Sequence, residues 1–192
     1  VYAPDSLHLL LTFDEPLDSN NASRPQEYSI SNGVGQPLSC SVIAPGLRSV
    51  ILLLNTPLQP HRVYEISITR APDCSGNDGG PLKVKAGLAE RPDSFDVVIN
   101  EILFNPFPGG TDYAEVCNRG KKIVDLASLY LANRNSAGAI NSMVPASTEH
   151  RLLFPGELVA LTADPGLVKK YYIAADPSAF SAVSPMPIYT SG

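Results

Sequence analysis

Short apolar runs with a period of two, set apart by turn residues, constrain this chain more than any other feature. Side chains alternate across a strand. Val63–Thr69 (VYEISIT) therefore presents Tyr64, Ile66 and Ile68 on one face and Glu65 and Ser67 on the other. Ser6–Phe13 (SLHLLLTF) does the same with Leu7, Leu9, Leu11 and Phe13. Tyr28 and Ile30 begin a further strand, Ser39–Ala44 follows, and Ser49–Leu54 (SVILLL) is apolar on both faces and predicted to be central. With 18 Pro and 14 Gly in 192 residues, the chain suits short strands and turns better than long helices. Runs at roughly the 8–12-residue spacing seen here predict an all-β chain built from antiparallel β-sandwiches.

The second half follows the same grammar. Val97–Phe104 is a predicted strand with Val98, Ile102 and Phe104 on one face and Val97, Ile99, Glu101 and Leu103 on the other. Asp112–Asn118, Ile123–Asp125 and Leu129–Asn133 are further strands, and Arg151–Phe154 and Glu157–Thr162 flank the turn dipeptide Pro155-Gly156. One helix is predicted over Pro165–Tyr172. Asp164 serves as N-cap, Pro165 opens the first turn, and Leu167, Val168, Tyr171 and Tyr172 form the apolar stripe. Beyond Asp176 the chain turns Ser/Pro-rich, and only PIYT at 187–190 offers a run that could pair.

Charge and composition exclude some partners. The 14 basic and 19 acidic residues leave a net charge of −5, so bulk electrostatics attracts neither nucleic acid nor an anionic membrane. Arg119, Lys121 and Lys122 cluster, but three charges at a turn are expected to be a solvated hairpin. No apolar run approaches the roughly 18 residues that would predict membrane insertion as a helix. The opening VYAPDS has neither a charged n-region nor an apolar h-region, which leads us to expect an excised or processed piece. The three cysteines form no CxxC or Cys/His metal spacing. Cys40 lies in a strand-like run and Cys74 in a turn, 34 residues apart, and a Cys40–Cys74 disulfide is expected, against the alternative of three buried free thiols. Cys117 is expected to pack as a small hydrophobe.

Candidate chemistry is sparse. Asn100 and Glu101 interrupt an apolar strand, where an unpaired carboxylate is costly. With Asp112 and Glu115 they could form an acidic patch around the Pro106–Gly110 loop. Glu101, Asp112 and Glu115 are thus weak candidates for a divalent-cation site, while backbone hydrogen bonding that fixes the loop is the better expectation. Asp14, Glu15 and Asp18 beside Asn20 and Asn21 lack the EF-hand spacing and read as a solvated turn. His8, His61 and His150 are scattered singly, and there is no G-x-S-x-G, H-E-x-x-H or phosphate-cradling glycine loop. We therefore expect neither catalysis nor a cofactor. Tyr113, Tyr130, Tyr171, Tyr172 and Tyr189 could meet a glycan, but the chain has no Trp and most of these rings are expected to be half-buried.

Two stretches carry family resemblances. In Val97–Ala132 (VVINEILFNPFPGGTDYAEVCNRGKKIVDLASLYLA), a strand ends in Asn-Glu, a Pro/Gly loop follows, and an acidic-aromatic strand ends in Asn before Val-Asp-Leu. With the later FPGE turn, this order resembles the lamin tail domain, an immunoglobulin-like β-sandwich of nuclear lamins and many bacterial secreted proteins. Ala114, Cys117 and Gly120 depart from the residues usual there. In the first half, FDEPL at Phe13–Leu17, the Thr56–Tyr64 loop and the turn Asp73–Asn77 resemble the bacterial Ig-like fold of the S-layer-protein type.

Together they imply an Ig-like domain over residues 1–86 and a lamin-tail-like domain over 97–192, with the polar segment 87–96 (GLAERPDSFD) between them as a linker. The second domain is expected either to stop before its final hairpin or to replace it by the helix and tail. The resemblance implies a non-catalytic module for spacing, anchoring or adhesion in a larger bacterial protein that is secreted or held at the cell surface. Its partners would be a protein or cell-envelope component. The alternative is an accessory pair of an extracellular hydrolase. An open sheet edge would invite self-association.

Overall fold

A computed structural model describes residues 1–173 and 176–187. The chain is all-β, with mostly antiparallel sheets and two short helices. It divides into two compact units, Val1–Ala89 and Glu90–Gly192.

The first unit contains β1 (Tyr2–Asp5), β2 (His8–Thr12), α1 (Ser19–Ala22), β3 (Tyr28–Ile30), β4 (Ser39–Val42), β5 (Ser49–Leu53), β6 (Tyr64–Ile68) and β7 (Leu82–Ala86). One sheet has the order β1-β2-β5-β4 and the other β3-β6-β7. The apolar β5 lies inside the first sheet, where it meets β2 through Leu9↔Leu52 and Leu11↔Val50. Leu9, Leu11, Val50 and Leu52 from that sheet share one core with Tyr28, Ile30, Tyr64, Ile66 and Ile68 from the other. This is the period-two pattern turned into packing. β7 escapes a sequence reading because Lys83 and Lys85 leave it little apolar signal. It is held by pairing with β6 in the register Ile66↔Val84. The acidic turn closes into α1, where the Asp18 carboxylate accepts from the Asn20 amide at 2.9 Å. The fully buried Tyr28 hydroxyl donates to the Ala22 carbonyl at 2.7 Å.

The second unit contains β8 (Val97–Leu103), β9 (Tyr113–Asn118), β10 (Val124–Asp125), β11 (Tyr130–Arg134), β12 (Ile140–Pro145), β13 (Leu152–Leu153), β14 (Leu158–Thr162), α2 (Pro165–Tyr171) and β15 (Phe180–Ala182). A four-stranded sheet runs β15-β14-β9-β8, and β10-β13 and β11-β12 form two small ladders. Ala114, Val116, Val159 and Leu161 of the large sheet pack with Leu126, Leu131, Val144 and Leu153. The segment Glu90–Asp96 joins this unit by hydrogen bonds. The Glu90 amide donates to Ile123, and the Arg119 and Gly120 amides both donate to the Asp96 carbonyl. Gly120 is required there, since a Cβ would meet the Asp96 side chain at 2.5 Å.

Three features differ from the sequence reading. In β8, Ile99 pairs with Val116 and Glu101 with Glu115, so Asn100 is an extra, bulged residue. The bulge breaks strict alternation and places Glu101 on the opposite sheet face from Ile99. β12 was not anticipated, because Asn141 and Ser142 interrupt its apolar residues and break a period of two. β15 runs parallel to β14 through Leu161↔Ser181, so a strand does follow the helix and covers that edge. PIYT lies outside the described residues apart from Pro187. Among the described residues, no helix is long and apolar enough to cross a membrane.

Candidate interaction surface

The large sheet of the second unit has a core face and an outer face. Along β9, Ala114, Val116 and Asn118 are buried, whereas Tyr113, Glu115 and Cys117 are only partly covered. Register then places Glu101 directly opposite Glu115, and Leu103 opposite Tyr113. On this outer face the Tyr113 hydroxyl donates to Glu101 at 2.5 Å, and the Asn100 side-chain amide donates to Glu115 at 2.6 Å. Two carboxylates thus face each other across strands, an arrangement that repels.

Helix α2 supplies the wall. Asp164 accepts from the Gly166 and Leu167 amides, Pro165 occupies the first turn, and Val168 is buried. This matches the expected N-cap and nearly the expected extent. The helix delivers Tyr172 edge-on to Tyr113, with ring centroids 6.5 Å apart, and tilted against Phe107 at 5.6 Å. Tyr171 also approaches Phe107, at 6.4 Å. The Phe107 amide donates to the Tyr172 hydroxyl at 3.3 Å, which ties the Pro106–Gly110 loop to the end of the helix. Sequence reading singled out the tyrosines one by one. Their gathering with Phe107 is tertiary.

A groove of about 580 Å³ runs over this face, lined by Glu101, Tyr113, Glu115, Arg151, Glu157 and Tyr172 among others. Arg151 reaches β15 and the turn before it, donating to the carbonyls of Phe180 and Ser178. Burial pulls the Arg151 guanidinium below its ordinary value, opposed by the fields of Glu157 and Asp176. Tyr113 is pushed well above the ordinary phenol value by burial first, then by its hydrogen bond to Glu101 and the negative charges of Glu101 and Glu115. Lys169 holds its ammonium 5.0 Å from the centre of the Phe180 ring, which also lines the groove.

Of the three weak cation candidates, the structure brings two face to face. Glu101 and Glu115 meet, and burial raises the Asp112 carboxyl. Yet among the described residues no group of three His, Cys, Asp or Glu side chains is placed to hold a metal ion. The Asn100 and Glu101 side chains do make hydrogen bonds, but to Glu115 and Tyr113 rather than to backbone. In the basic cluster, Lys122 is committed to Asp93 at 2.7 Å.

Cys40 and Cys74 are not joined in this structure. All three cysteines are free thiols. Cys40 points into the core opposite Leu52, and burial raises its pKa. Cys74 sits exposed on its turn, where its thiol donates to the Leu17 carbonyl at 3.3 Å. A side chain turned inward from a core strand and one spent on a surface turn do not meet. Sequence reading also missed a His–Asp pair. His150 lies 2.6 Å from the Asp125 carboxylate, whose other oxygen accepts from the amides of Ala127 and Arg151. Asp125 therefore caps a turn, and the Ser128 and Ser147 hydroxyls donate to the carbonyls of Asp125 and Glu149.

Strand β8 forms one border of the sheet. It has seven residues, and Ile99 (55% exposed), Ile102 (38%) and the following Phe104 (50%) are open to solvent.

No family model matches the chain, and no curated protein does. Three solved structures are similar at the level of the trace. The N-terminal part of the bacterial S-layer protein SbsC matches with 20% identity and a TM-score of 0.42, over 84% of this chain and 39% of that one. The S-layer protein rSbsC(31-844) matches with 14% identity and a TM-score of 0.41, over 81% of this chain and 25% of that one. Domains 1–6 of surface layer protein SbsC match with 14% identity and a TM-score of 0.40, over 80% and 24%. The chain spans well under half the length of each structure it resembles.

Proposed function

We propose that this chain is a non-catalytic pair of Ig-like β-sandwiches, the second resembling a lamin tail domain, from a larger bacterial secreted or cell-surface protein. Its task is association, and the edge of the second unit carries it. The observation behind this reading is β8, a seven-residue border strand with Ile99, Ile102 and Phe104 exposed. A strand at a sheet border presents unpaired N–H and C=O groups, and natural edges are normally blunted by charge, proline or cover. Among the residues of β8 the only charge is Glu101, which is directed to Tyr113 on the sheet face. A second copy can add a strand there by backbone pairing, with the apolar side chains giving grip.

Sedimentation velocity across about 5–200 µM decides the matter, a range set to catch micromolar association. Wild type is expected to shift toward dimer, and Ile99→Lys to remain monomeric with unchanged circular dichroism. A wild-type chain that stays monomeric throughout the range, or a variant that associates equally well, overturns the proposal.

A further inference from the structure

The groove on the outer face of the large sheet calls for an occupant of its own. Its volume of about 580 Å³ falls in the range of ligand-binding clefts. Glu101 and Glu115 stand directly opposite each other, and each is hydrogen-bonded by a neutral donor, Tyr113 and Asn100. Glu157 and Asp176 add two more carboxylates along the lining, so four carboxylates stand against the Arg151 guanidinium and the Lys169 ammonium. Arg151 is committed to the carbonyls of Phe180 and Ser178, and Lys169 lies over the Phe180 ring. The surplus charge is therefore negative, and the Tyr113 and Tyr172 rings stand on the same side as the facing glutamates. Carboxylates beside aromatic rings suit an organic cation, which gains from the charges and from the ring faces together. A neutral sugar would use the rings but leave the repulsion between Glu101 and Glu115 in place.

We propose that this groove binds a lysine- or arginine-bearing segment of a partner protein, seating the cationic group between Glu101 and Glu115 beside Tyr113 and Tyr172. The site takes Asn100 and Glu101 from β8, but it uses the outer face of the sheet, whereas strand addition at the border uses the backbone of β8. The cation relieves a like-charge pairing that the bulge at Asn100 sets on this face.

The test is calorimetric or NMR titration of the whole chain with the capped peptide Gly-Lys-Gly-Lys-Gly, at low and at physiological salt. Parallel titrations use the Gln-for-Lys peptide, calcium chloride and a neutral N-acetylglucosamine trimer. The lysine peptide is expected to bind and the glutamine peptide not to bind. Glu115→Gln and Tyr172→Leu should each weaken binding by roughly fivefold, on the usual worth of partly exposed charge and cation–π contacts. Glu65→Gln, on the other unit, should leave it unchanged. A second readout guards against misfolding: Glu115→Gln should raise the melting temperature of the second unit by removing the repulsion. Equal binding by the Glu115 and Tyr172 variants, binding of calcium or the trimer without the lysine peptide, or no binding at all would each overturn the proposal.

Discussion

Asn118 shows how much one polar residue can hold. It is fully buried at the end of β9, where its amide donates to the carbonyls of Lys122 and Leu153 and its oxygen accepts from the Gly120 amide. Asn118→Ala takes a donor from the Lys122 and Leu153 carbonyls and leaves the Gly120 amide with only its bond to Asp96, and is expected to cost about 3 kcal/mol, measured as the denaturant midpoint of the second unit. Tyr28 offers a smaller case. Tyr28→Phe keeps the packing and leaves the Ala22 carbonyl without its donor, an expected loss of about 1–2 kcal/mol. The thiols make a third. Labelling of the native chain should modify Cys74 first, because Cys40 is buried, and denaturation without reductant should expose three reactive thiols. Only one reactive thiol after denaturation would show that a bridge forms after all. Asn118 was legible as the end of a strand, and two of its partners are close neighbours, but the Leu153 carbonyl lies 35 residues away, beyond the reach of any local pattern.

At the scale of an element, the turn Asp73–Asn77 links stability to pH. The Asp73 carboxylate accepts from the Asn77 side chain and from the Ser75 and Asn77 amides. The Asn77 side-chain bond is the largest cause holding its pKa below the ordinary value, against a smaller opposing effect of burial. Asp18 and Asp78 are lowered by the same kind of bonding, Asp18 chiefly by Asn21 and Asp78 chiefly by Arg70. A lowered folded-state pKa contributes stability that is fully present above the unfolded value and is lost as pH falls through the folded one. The first unit should therefore weaken below about pH 4. Asp73→Asn should flatten the fall of melting temperature with pH; an unchanged slope would remove Asp73 from the account. Helix α2 permits a direct check of its cap. Asp164→Ala is expected to cost about 1 kcal/mol and to loosen Tyr172 from Phe107, visible as a change in tyrosine fluorescence. That cap could be read in advance because capping uses neighbours in the chain, whereas β15 could not, because a three-residue strand exists only through its pairing with β14.

At the scale of the whole molecule, each unit has its own buried core, one built around Tyr28, Tyr64 and Leu52 and the other around Ala114, Leu126 and Leu161. Chains cut between Ala89 and Glu90 are expected to fold separately, each with a cooperative thermal transition and dispersed amide resonances. A cut at Asp96 should instead destabilise the second piece, since Glu90, Asp93 and Asp96 bond to Ile123, Lys122 and Gly120. If the Asp96 cut is harmless and the Ala89 cut is not, the polar segment belongs elsewhere.

Period-two patterning by itself determined the β class, the central place of the Leu-rich β5 and the burial of Tyr64, Ile66 and Ile68, and the Asp164-Pro165 cap with its apolar stripe determined the helix. Each of these rests on contacts that follow from alternation or from residues a few positions apart. Tertiary structure alone decided the bulge that turns Glu101 toward Glu115, the docking of Tyr172 on Phe107 and Tyr113, the separation of Cys40 from Cys74, and the parallel strand β15. Register and face are set by which strands meet, and a single extra residue in one strand reverses every side chain beyond it. The acidic groove is therefore a property of the folded sheet, and no reading of β8 or β9 alone contains it.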